Sequence, residues 1–112
     1  MNTHDSRPGL ISPFFLNRVG LRLAEGVATH PDSDYNRGGA PGFTAFDYYD
    51  KAMRHLVQYA LGCTDEDHLA AVGCNINFLI DIQAKVARGV LPPEADNMPC
   101  YGAEKEDGGG EQ

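Results

Sequence analysis

The chain has 112 residues and a mass of 12.1 kDa, the size of one small domain. Hydrophobic residues make up 42% and charged residues 22%, ordinary for a soluble globular protein, and Gly and Pro cluster in particular segments, which excludes a chain disordered throughout. A formal net charge of −7 excludes a general binder of duplex nucleic acid, which needs a basic footprint to displace counterions from phosphates.

Residues 1–11 lack the apolar centre of a secretory signal and read as a flexible N-terminus. No apolar run is expected to reach the roughly 20 residues of a membrane span. Cys63, Cys74 and Cys100 are odd in number and show no CxxC spacing. That fits free thiols in a reducing cytoplasm and gives no disulfide or zinc framework.

The first predicted helix opens at Ser12-Pro13, with Ser12 as N-cap and Pro13 at the first helical position. Leu16, Val19, Leu23 and Val27 recur at spacings of three and four, which marks one face. Gly20 and Gly26 offer places where another helix could approach closely. Pro31 disfavours helix in the residue before it, so the helix should end near His30. Residues 31–43 are rich in Pro, Gly, Asp and Asn and read as a long loop, a place where function often sits.

The second helix is expected to open at Thr44, where Thr44-x-x-Asp47 resembles a capping box. Phe46, Tyr49, Met53, Leu56 and Ala60 trace an apolar stripe, Asp47 and Lys51 make an i,i+4 pair, and Gly62 is the natural stop. The third helix is expected to open at Thr64, with Asp65, Glu66 and Asp67 against the positive end of its dipole. Leu69, Val72, Ile76, Leu79, Gln83 and Val86 give its main stripe, and Gly89 with Pro92-Pro93 ends it. His68, Ala71, Asn75 and Phe78 share a bordering face, so His68 and Asn75 should be partly buried and need polar partners.

Residues 92–112 carry six acids and one base, with Pro92, Pro93, Pro99 and a Gly108–Gly110 run. Their composition cannot offset the entropy of ordering, and residues 91–112 read as an acidic disordered tail. The expected architecture is all-α: a small antiparallel bundle of three main helices within residues 12–90. Three such helices bury little apolar surface alone, so dimerisation is expected to complete the bundle. The third helix, apolar on more than one face, is the natural seam.

Two clusters could carry chemistry: Arg54-His55 on the second helix, and Glu66-Asp67-His68 followed by Asn75 at the third. Here the sequence resembles a known family, the N-terminal domain of phage-type dATP/dGTP diphosphohydrolases, related to the MazG-like all-α nucleotide pyrophosphohydrolases. The resemblance rests on Ala52-Met53-Arg54-His55-Leu56, Gly62, Glu66-Asp67-His68-Leu69-Ala70-Ala71 and Asn75. More loosely, it includes Glu25-Gly26-Val27-Ala28 and Tyr35-Asn36-Arg37-Gly38-Gly39, and it spans about residues 13–83. Arg37 stands where the family carries Trp, and Ala71 where it can carry a further His.

The resemblance implies hydrolysis of a nucleoside triphosphate to release pyrophosphate in the host cytoplasm of a phage, using Mg²⁺, with Mn²⁺ as the substitute; the small core separately implies a homodimer or higher homo-oligomer. It implies metal ligands at Glu66, Asp67 and Glu25, and catalytic roles for His55, His68 and Asp67. Asn36, Arg37, Arg54 and Asn75 would bind substrate. Mg²⁺ suits such chemistry because it takes hard oxygen ligands and stabilises charge on phosphate. A weakened relative that binds nucleotide or a protein partner without turnover is the alternative. No duplex nucleic acid and no membrane enter this expectation.

Overall fold

The computed structural model describes residues 5–29 and 42–101. A short 3₁₀ turn at Pro8–Leu10 precedes three α-helices, and a second lies at Pro93–Ala95. The helices are α1 (Pro13–Thr29), α2 (Ala45–Ala60) and α3 (His68–Ala87). The described residues contain no strand, and the all-α expectation holds.

Local hydrogen bonding decides where most of these helices start and stop. Ser12 Oγ accepts from the backbone N–H groups of Phe14 at 3.2 Å and Phe15 at 3.4 Å, which opens α1 at Pro13. Thr44 and Asp47 form a reciprocal capping box on α2: Thr44 Oγ1 accepts from Asp47 N–H, and Asp47 Oδ2 accepts from Thr44 N–H at 2.8 Å. Asp47 is thus held at the cap. Lys51 places its ammonium 4.7 Å above the Phe43 ring instead of forming the expected pair with Asp47.

At the far end of α2, Gly62 takes φ +85. Its N–H donates to Tyr59 O while that of Cys63 donates to Gln58 O, both at 3.0 Å. This pair of bonds is a Schellman stop and needs a residue tolerant of positive φ. Gly89 ends α3 in the same way.

The start of α3 departs from expectation. Its N-cap is Asp67, three residues beyond Thr64, and Asp67 Oδ1 accepts from Ala70 N–H at 3.1 Å. Asp65 and Glu66 therefore lie before the helix, where their side chains meet other groups rather than the dipole.

The short α2–α3 connection makes these helices neighbours, and α3 packs extensively on α2 and more narrowly on α1. The core joins Ala45 and Tyr48 of α2 to Cys74, Phe78 and Ile82 of α3, with Val19 and Leu23 of α1 against it. The Tyr48 and Phe78 rings sit 5.0 Å apart in a tilted contact. Gly73 marks a close approach of α1 to α3: a Cβ there would lie 2.7 Å from Val19 Cγ2. Gly20 has nothing within 4 Å of such an atom, so the close approach expected of it occurs elsewhere.

The buried faces of α2 and α3 are rotated from the expected stripes. On α2, Ala45, Tyr48 and Ala52 face inward, while Phe46 is 40% exposed and Met53 44% exposed. On α3, His68, Ala71, Asn75, Phe78 and Ile82 are buried, and Ile76 and Ile80 look outward. The reason is steric. Alanines at 45, 52, 70 and 71 let the two backbones approach, and Tyr48 and Phe78 fill the space beyond them.

Two further expectations change. Residues 91–101 are not a free tail: Leu91, Ala95 and Met98 pack against the core. Asn97 Oδ1 also accepts from Phe46 N–H at 2.9 Å, at the open end of α2. Acidic composition gave no sign of these few apolar anchors. The remainder of that tail, 102–112, lies outside the described residues. Contrary to the expected absence of any long apolar segment, α3 is long and apolar enough to cross a membrane by length and composition, with a mean hydropathy of 1.2. Packing between α1 and α2 accounts for part of that apolarity, since 33% of the segment is buried and Ile76 and Ile80 face outward.

Candidate functional site

The α2–α3 hairpin brings the two sequence clusters together at one point. His55 lies on the inward side of α2, ten residues after Ala45, so helical periodicity places it in line with Tyr48 and Ala52. His68 is the first residue of α3 and is only 2% exposed. Their Nδ1 atoms are 2.9 Å apart.

The second nitrogen of His68, Nε2, lies 2.7 Å from Asp65 Oδ1. A carboxylate accepts, so Nε2 carries the proton, and in the neutral ring Nδ1 is left as the lone-pair nitrogen facing His55. The bond from His68 also holds the Asp65 carboxyl below its usual pKa. Burial pushes His55 below its usual pKa, although the Glu66 carboxylate acts in the opposite direction. His55 is thereby favoured as a neutral imidazole.

Glu66 completes the cluster. One ligand atom from each of His55, Glu66 and His68 lies within 4.8 Å of the others, which is the spacing of a metal-holding group. Glu66 also forms an ion pair with Arg22 of α1, and Arg22 Nη1 reaches Glu25 Oε1 at 3.2 Å. Arg22 therefore sits between two carboxylates.

Beside this cluster is a cleft of about 270 Å³ lined in part by Arg22, Glu25, Lys51, His55 and Asn75. All three helices contribute to it. Asn75 is buried in its wall and donates from Nδ2 to Ala71 O at 2.8 Å.

The sequence-derived site residues fall into distinct groups. His55, His68 and Glu66 converge, and Glu25 and Asn75 line the adjoining cleft. Asp67 does not join them. Both its carboxylate oxygens accept from Arg18, at 2.7 and 2.8 Å, and one also caps α3. Arg54 points away as well, 3.4 Å from Asp50 with its side chain 64% exposed. One residue along a helix is about 100° of rotation, so neighbouring Arg54 and His55 cannot share a face. Asn36 and Arg37 lie outside the described residues.

Sequence reasoning missed three participants. Arg22 and Lys51 enter the cleft through packing between helices distant in sequence, which leaves no local signature. Asp65 did leave one: its i,i+3 spacing to His68 is the carboxylate–imidazole arrangement that orients a histidine. No family model matches the chain, and no curated protein or solved structure matches it.

Proposed function

We propose that the chain hydrolyses a nucleoside triphosphate of the dATP/dGTP class, releasing pyrophosphate and a nucleoside monophosphate. The observation that carries this reading is the convergence of His55, Glu66 and His68 on the edge of a cleft that also presents Arg22 and Lys51. Cations facing a concave site suit a polyphosphate, and a clustered set of ligand atoms suits hydrolytic chemistry on it.

In this reading Lys51 and Arg22 hold phosphate oxygens. Lys51 approaches as a point charge steadied against the Phe43 ring, and Arg22 as a planar fork. Water attacks the α-phosphorus, the bond to the α–β bridging oxygen breaks, and pyrophosphate departs with that oxygen. Glu25 faces the same cleft and takes the water's proton once Arg22, its ion-pair partner, turns to the phosphate. Asn75, rigid in the cleft wall, shapes the substrate side.

The Mg²⁺ that the family resemblance implies does not fit the donor set. Two imidazoles and one carboxylate offer too little hard oxygen for an ion that keeps oxygen ligands and waters. No step is therefore assigned to Mg²⁺.

The test is a panel of deoxy- and ribonucleoside triphosphates incubated with the chain and Mg²⁺, Mn²⁺, Co²⁺ or Zn²⁺, with products identified. Pyrophosphate from dATP or dGTP is expected, with Lys51→Ala raising KM. Absence of pyrophosphate from every triphosphate would retire the reading. A second reading, nucleotide binding without turnover, is favoured by one observation: Asp67 is held by Arg18 and the α3 cap. Calorimetric binding of dATP or dGTP with no product would establish it instead.

A further inference from the structure

The three-residue cluster supports a conclusion about cofactor chemistry that stands whether or not nucleotide is hydrolysed. We infer that His55, Glu66 and His68 bind one divalent first-row transition ion, such as Zn²⁺ or Fe²⁺, with Asp65 orienting His68 and Arg22 occupying Glu66 until the ion arrives.

Three features of the geometry point to this. The first is the direction of the lone pairs. Asp65 fixes the proton of His68 on Nε2, 2.7 Å away, so Nδ1 faces the cluster as a donor of electrons. His55 Nδ1 faces it at 2.9 Å. Without an ion, one proton must lie between these nitrogens, donated by His55. Moving that proton to His55 Nε2 leaves two lone pairs facing one another, and a small tilt of the half-buried His55 ring turns both toward one ion. Two nitrogens each about 2.1 Å from one tetrahedral ion are about 3.4 Å apart, so the rings need to separate by only about half an ångström from the 2.9 Å found to admit it.

The second feature is the outer partner. A ligating histidine ordinarily donates its other N–H to a carboxylate or carbonyl, which fixes the tautomer and raises ligand basicity. Asp65 supplies this carboxylate. His68 is buried, so its ring orientation is set by packing as well as by that bond. Glu66, by contrast, is partly exposed and can move onto an ion without disturbing the core.

The third feature is charge. The donor set is nitrogen-rich, which favours transition ions over Mg²⁺ or Ca²⁺. Arg22 now bridges Glu66 and Glu25. An ion that takes Glu66 removes one carboxylate from Arg22 and leaves its guanidinium with Glu25 beside the cleft. Arg22 thus competes with the ion and, once displaced, presents more of its charge to an anionic ligand.

The experiment uses the untagged full chain carrying Cys63→Ser and Cys100→Ser, because both thiols are exposed and bind soft ions on their own. After chelator treatment it is titrated with Co²⁺, Zn²⁺ and Mg²⁺ by calorimetry, and Co²⁺ is followed by visible absorption. One Co²⁺ or Zn²⁺ per chain is expected, with Mg²⁺ binding at least about 100-fold more weakly. His55→Ala and Glu66→Gln should each weaken Co²⁺ binding by tenfold or more. Asp65→Asn should weaken it by about 10–100-fold. Arg22→Gln should tighten it. His68 is left intact because it is buried, and thermal melting confirms that each variant folds.

Equal affinity for Co²⁺ and Mg²⁺ would overturn the inference. So would unchanged Co²⁺ affinity in folded His55→Ala and Glu66→Gln. Metal bound without pyrophosphate release leaves the inference standing and removes the hydrolase reading. Pyrophosphate release with Mg²⁺ and no Co²⁺ or Zn²⁺ site does the reverse.

Discussion

Arg18 grips Asp67 with two parallel bonds, Nε to Oδ2 at 2.7 Å and Nη2 to Oδ1 at 2.8 Å, across 49 residues of sequence. The same carboxylate caps α3. One side chain therefore starts a helix and ties it to α1.

The first prediction follows from that dual role. Asp67→Ala should lower stability by about 1–2 kcal/mol through loss of the cap, read by urea unfolding. Asp67→Asn keeps a capping oxygen and should cost less. Arg18 holds the Asp67 carboxyl below its usual pKa. A group whose pKa is lower in the folded state than in the unfolded state contributes stability at neutral pH. That contribution is lost as pH falls below the unfolded value of about 3.9 and through the folded one. The wild-type chain should accordingly lose more stability on acidification over this range than Asp67→Asn does.

The second concerns the α1–α3 contact. A Cβ added at Gly73 would lie 2.7 Å from Val19 Cγ2 and 3.4 Å from Phe15 Cε1. Valine is stiff about χ1 and cannot easily move aside. Gly73→Ala should destabilise by about 1–3 kcal/mol through overpacking, despite gaining up to about 1 kcal/mol of helix propensity. Adding Val19→Ala should recover part of that loss, giving a measurable coupling in a double-mutant cycle. Strict additivity would show that the two helices do not meet at this point.

The third concerns thiol chemistry. Cys74 is buried, and its Sγ lies 3.6 Å from Val19 O. Burial raises its thiol to about 11. Thiolate, not thiol, is the nucleophile. With a disulfide reagent at pH 8, Cys63 and Cys100 should react promptly, while Cys74 reacts only after denaturant is added. Three equally fast thiols would contradict the packing of α1 over α3.

The fourth concerns assembly. Ile76 and Ile80 face outward from α3, Ile80 at 61% exposure, in line with half-covered Leu69. They lie on the helix expected to form the seam between copies. Light scattering should give twice the 12.1 kDa of one chain, and Ile76→Glu with Ile80→Glu should return the monomer. A monomer from the unaltered chain would end the proposal of a homodimer.

The sequence by itself determined the three helices and most of their ends, the start of α3 excepted, because the signals that start and stop them are local. Ser12 before Pro13, Thr44 three residues before Asp47, and the glycines at 62 and 89 each act through hydrogen bonds within a few residues. The burial of His68 and Asn75 was legible too, from their helical spacing with Ala71 and Phe78. Only the tertiary structure decided which faces turned inward and which charges met. Phe46 and Met53 are more apolar than Ala45 and Ala52, yet the alanines are buried because small side chains allow α2 and α3 to approach. Asp67 found Arg18, Glu66 found Arg22, and Asn97 reached the start of α2. Each of those pairings joins residues more than forty positions apart. Such contacts depend on how one helix is rotated against another, and that rotation is set by the summed shape of both surfaces rather than by the hydropathy of any one residue.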